Sequence, residues 1–111
     1  MGKEMLGEFE LLVLLAALRL GEDAAYAVAI ADEIEARTGR AAQRSAVYVT
    51  LQRLEERGLL ISRLGSPSPE RGGKARRLVR VEPAGIAAVT ATRAALQNMW
   101  RGLSPAVGEG R

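Results

Sequence analysis

In the stretch SAVYVTLQRLEERGLL, residues 45–60, the side chains Ser45, Tyr48, Val49 and Gln52 recur at i, i+3, i+4 and i+7. At about 100° per residue this spacing puts them on one side of a helix, with Val47, Leu51 and Leu54 on the roughly opposite side. A helix side that is merely solvated is filled by Glu, Lys or Ala. This one offers a hydroxyl, a phenol, a valine and an amide, and its acids, Glu55 and Glu56, wait until the last turn. Such groups suit a DNA major groove. Gln pairs bidentately with adenine, Ser serves a base or a phosphate, and Val meets a thymine methyl. Tyr48 has the reach to donate to a phosphate; its competing role is packing against the preceding helix. Arg40 and Arg44 stand at the entrance of this helix, where a phosphate would rest on the amide dipole.

The charge of the chain is uneven around this helix. Residues 40–80 hold ten basic and three acidic side chains, net +7, and the remainder holds six basic and ten acidic, net −4, within a total of +3 over 111 residues. A basic middle between acidic ends points to a polyanionic partner.

The elements that must position these residues follow from periodicity. A first helix, Phe9 to Arg19, is apolar nearly all round (Phe9, Leu11, Leu12, Val13, Leu14, Leu15, Leu18), so it needs a second cover such as another subunit. A second helix runs from about Ala24 to Thr38, with Ala27, Ile30, Ala31 and Ile34 inward and Gly39 as its stop. The third, from Gln43 to Gly58, carries the stretch above. Two short strands follow, LLISRLG and KARRLVRVE, joined by the turn-rich SPSPERGG. Their flanks and tip carry Arg63, Arg71, Lys74, Arg76 and Arg77, as a DNA-contacting wing or as charges that protect a strand edge. In the second strand Val79 and Val81 share one face, Arg76 and Arg80 the other. Pro83 opens a last helix whose stripe is Ile86, Val89, Leu96, Met99, Trp100 and Leu103, with Arg93 its polar intruder.

Three helices, a hairpin and a fourth helix make a mainly α chain with a β-hairpin: a winged helix-turn-helix plus a C-terminal dimerisation helix. The expected division is a DNA-binding domain over 6–82, a dimerisation helix over 83–103, and frayed tails at 1–5 and 104–111. In this fold the second helix of the motif enters the major groove. The sites expected to contact double-stranded DNA are Arg40, Arg44, Ser45, Tyr48, Val49, Gln52, Arg71, Lys74, Arg76 and Arg77. A homodimer seam is expected from Phe9, Leu12 and Leu15 with Val89, Leu96, Trp100 and Leu103, the lone Trp serving as anchor.

Other chemistries find little support. There is no histidine and no cysteine, which removes the usual general base, the commonest metal ligand, thiolate sites and disulfides. No catalytic residue, metal or cofactor is expected. The apolar run near Leu11–Leu18 is too short to span a bilayer, and Glu8 and Glu10 precede it where a signal peptide is basic; a cytoplasmic protein with no membrane partner is expected. The reading from another class is a winged-helix interaction module whose basic hairpin binds an acidic protein.

LGEFELLVLLAALRLG, YAVAIADEIEARTG, SAVYVTLQRLEERGLL and RLVRVEPAG together resemble the PadR family of bacterial transcriptional regulators, over about Leu6 to Trp100. The most specific parts are VYVTLQRLEERGLL and the strand-to-helix EPAG at Glu82–Gly85. The single short C-terminal helix is similar to the smaller members. The resemblance implies a homodimeric repressor on a palindromic operator, in some members released by small aromatic compounds. Such an effector would sit between subunits near Trp100, where plain interface packing is the alternative. The chain departs from the family at Leu78 and Val79 (usually aromatic), Glu82 (commonly Thr), Ala46 (often Gly) and Val49 (often Pro).

Overall fold

The computed structural model describes residues 5–66, 72 and 75–103. Arg71, Lys74, residues 1–4 and the expected tail at 104–111 lie outside the described residues. The order is α1 (Glu8–Leu20), α2 (Ala27–Thr38), α3 (Arg44–Glu56), β1 (Leu60–Leu64), β2 (Arg77–Val81) and α4 (Pro83–Trp100).

Glu8 and Glu10 place carboxylates in the first turn of α1, where they offset the amide dipole. The Gly7 N–H donates to Glu10 Oε1 at 2.9 Å, half of a capping box. Helix α2 begins three residues later than its apolar spacing predicts. The Ala25 carbonyl accepts the Val79 N–H at 2.9 Å, and Tyr26 is extended (φ −135°, ψ 167°). The approach to α2 is thus held along the edge of β2 and cannot coil. Gly39, in the left-handed region at φ 75°, ends α2.

Helices α1–α3 close on one core. Val13, Leu14, Ile30, Val47, Leu54 and Leu60 are all but inaccessible, each stabilising the fold by about 1.5–3 kcal/mol before entropy is counted. The inward residues of α2 and of α3 are those the spacing predicts, with Thr50 added. Strands β1 and β2 pair antiparallel, Leu60 opposite Val81 and Leu64 opposite Arg77. Leu60 and Val79 join the core, and Val81 packs against it.

Two contacts fix α4. Its first turn rests on the base of the hairpin: a Cβ added at Gly85 would lie 2.2 Å from the Leu59 carbonyl oxygen and 2.7 Å from Val81 Cγ1. That carbonyl also accepts the Glu82 N–H at 2.9 Å. Further along, the buried Thr92 hydroxyl accepts the Leu6 N–H at 3.0 Å and donates to the Ala88 carbonyl at 2.8 Å. The buried polar residue of α4 is therefore Thr92; Arg93, the polar intruder of the expected seam stripe, is exposed together with Ile86, Leu96 and Trp100 of that stripe.

Candidate nucleic-acid interface

Helix α3 turns Ser45, Tyr48, Val49 and Gln52 away from the core, and all four are exposed. Tyr48 is 57% exposed, leaving more than half of its surface open to solvent. Beside this side, α2's first turn and the hairpin enclose a cleft of about 640 Å³. Tyr48, Gln52 and Glu55 form its α3 wall, Tyr26, Ala27 and Val28 its α2 wall, and Ser62, Ala75, Arg76, Arg77 and Val79 its hairpin wall.

The cations of the cleft are held by neighbours. The Arg76 guanidinium lies over the Tyr26 ring, 4.1 Å from its centroid, a geometry that fixes a flexible side chain while keeping its charge. Arg77 Nη1 donates to Ser62 Oγ at 3.1 Å, and Ser62 Oγ donates to the Glu55 carboxylate at 3.0 and 3.1 Å. The spacing that puts Arg76 with Arg80 does not hold. Arg76 precedes β2, outside the strict alternation, and lines the cleft together with Val79. Arg80 turns to Glu82 at 3.1 Å and Glu22 at 3.9 Å. Arg63 also faces away, to Asp23 at 3.0 Å and the Glu22 carbonyl at 3.2 Å. The hairpin thus has a face whose arginines meet acids of the α1–α2 turn and a face that presents Arg76 and Arg77 beside α3.

The remaining expected residues are placed as follows. Arg44 is exposed at the first position of α3. Arg40 is turned toward α1, 3.0 Å from Glu8 and 5.3 Å from the Phe9 ring centroid. Of the expected seam, Phe9, Leu12 and Val89 are half-buried against the monomer's own core, whereas Leu15, Leu96, Trp100 and Leu103 are exposed. Tyr26, Ser62 and Glu55 are site residues that the spacing did not single out. A helix starting at Ala24 conceals Tyr26, and no one-dimensional signal reports that Arg76 will fold onto it. Among the described residues no helix is long and apolar enough to cross a membrane, and no group of His, Cys, Asp and Glu could hold a metal ion.

No protein-family model and no curated protein matches the sequence. Solved structures do. A PadR-family transcriptional regulator from Eggerthella lenta is 26% identical, with a TM-score of 0.65 over 82% of this chain and 76% of that one. A transcriptional regulator from Clostridium thermocellum is 18% identical, with a TM-score of 0.66 over 83% of this chain and 85% of that one. A candidate transcriptional regulator from Thermoplasma acidophilum is 21% identical, with a TM-score of 0.66 over 80% and 82%. Among the described residues, four helices and one antiparallel hairpin in the arrangement of these proteins give the chain a winged-helix fold like that of the PadR-family regulator.

Proposed function

We propose that the protein is a DNA-binding transcriptional regulator, a dimeric repressor that reads a palindromic operator. The observation that carries this reading is the exposed, chemically mixed side of α3 beside a cleft bearing Arg76 and Arg77. In this reading Ser45, Val49 and Gln52 meet base edges, while Tyr48, Arg44, Arg76 and Arg77 meet the backbone, joined by Arg71 and Lys74 of the hairpin tip. The solved structures of like fold described as transcriptional regulators support it.

The dimer would form through α4 and α1. Trp100 is 51% exposed, and Leu96, Met99, Leu103, Leu15 and Leu18 are exposed as well. Large apolar side chains gathered on two helices are costly to leave in water. A second copy would cover them and set two α3 helices about one DNA turn apart. Release by a small aromatic compound, which the family resemblance implies, would act at Trp100.

Selection of bound fragments from random duplex DNA at two salt concentrations tests the proposal. A palindromic consensus and steep loss of binding with salt are expected. Weak, uniform retention would instead favour an acidic protein as the partner of the basic hairpin. Replacing Tyr48 and Gln52 together by Ala should abolish the consensus. Unchanged selection by that variant would sink the assignment of α3 as the reading element.

A further inference from the structure

Glu55 continues the outward side of α3 beyond Ser45, Tyr48 and Gln52, so an acid stands in the cleft opposite Arg77. Its carboxylate is tied down. Both of its oxygens lie within 3.1 Å of the Ser62 hydroxyl, which in turn accepts from Arg77 Nη1 at 3.1 Å. The Arg77 guanidinium reaches this carboxylate only through that hydroxyl. Glu55 and Arg77 are exposed, so the chain contributes little to stability. Its effect is on the field that an approaching phosphate meets.

We propose that Glu55, acting through Ser62, weakens the hold of Arg77 on DNA phosphates and thereby the protein's grip on duplexes of arbitrary sequence. This rests on the DNA-binding reading above. Duplexes of arbitrary sequence are held almost entirely by backbone charge. A phosphate that reaches for Arg77 finds one of the guanidinium donors already taken by the Ser62 hydroxyl and approaches a negative charge. At an operator the base contacts of α3 offset this penalty, and a duplex of arbitrary sequence offers no such contacts. Arg76 is left outside the restraint, because its partner is the neutral Tyr26 ring. Glu55 is thus a specificity-determining residue that works by repulsion, as discrimination among partners commonly requires.

The test is a salt series of fluorescence anisotropy with a labelled duplex of mixed random sequence. It compares wild type, Glu55→Gln, Arg77→Gln and the double variant. Gln keeps the acceptor for Ser62 and removes only the charge. At low salt Glu55→Gln should bind about threefold more tightly, as expected for a unit charge roughly 7 Å from a phosphate in a water-like medium. Its log–log salt slope should steepen by about 0.9, one more phosphate engaged. The double variant should show no gain over Arg77→Gln. Melting temperatures should stay equal, so a purely structural role would leave affinity and slope unmoved. If wild type binds with salt dependence and Glu55→Gln binds identically, or if its gain survives in the Arg77→Gln background, the proposal is overturned and the DNA-binding reading stands. Absence of salt-dependent binding by wild type overturns both.

Discussion

Gly85→Ala sets two physical effects of opposite sign against each other. Gly85 lies in the first turn of α4, where Ala has a helix propensity advantage of about 1 kcal/mol. Propensity alone therefore predicts a stabilised protein. The added methyl, however, would stand 2.2 Å from the Leu59 carbonyl oxygen and 2.7 Å from Val81 Cγ1. The first of these neighbours is backbone and cannot rotate away. Relief requires α4 to retreat by roughly 1 Å, an overpacking cost of about 1–3 kcal/mol. The same retreat stretches the Glu82 N–H to Leu59 carbonyl bond, now 2.9 Å, and loses about 1 kcal/mol more. The net destabilisation is about 2 kcal/mol, which lowers the melting temperature of a domain this size by about 8–16 °C. Circular dichroism melts of both proteins, run at one protein concentration because association shifts the midpoint, decide the matter. A melting temperature equal to or above that of wild type would refute the close approach of α4 to the hairpin base.

Thr92→Val keeps the shape of the side chain but leaves the Leu6 N–H without its acceptor; urea unfolding should show a loss of about 1–3 kcal/mol, and Thr92→Ser should recover most of it. If the proposed dimer forms through α4 and α1, Trp100→Ala combined with Leu96→Ala should leave a monomer in sedimentation velocity, and a surviving dimer would move the seam elsewhere. Tyr26→Leu removes the ring beneath Arg76 and should weaken binding to duplex DNA by about threefold, the worth of an exposed cation–π contact, while Tyr26→Phe should not.

Periodicity carried most of the architecture. The inward sets Ala27, Ile30, Ala31, Ile34 and Val47, Leu51, Leu54 are buried as their spacing requires, because a 3.6-residue repeat is a local property. The same repeat misplaced the start of α2, since nothing in AAYAV announces that Ala25 will be captured by the Val79 N–H. At the cleft, the outward side of α3 was legible for the same local reason. The partners of the arginines were not. Arg63, Arg76, Arg77 and Arg80 look equivalent in sequence, yet Arg63 faces Asp23, Arg80 lies between Glu82 and Glu22, Arg76 lies on Tyr26 and Arg77 leans on Ser62. Those distinctions arise only when residues far apart in the chain are brought to the two faces of a single hairpin.

The bond between Leu6 and Thr92 spans 86 positions of the chain, and this orders events during translation. At roughly 5–20 residues per second, several seconds separate synthesis of the donor from synthesis of its acceptor. Throughout that interval the Leu6 N–H lacks its acceptor, although the Leu6 side chain already has the core of the first three helices to enter. Three helices and a hairpin can be in place before α4 supplies the hydroxyl that closes this bond.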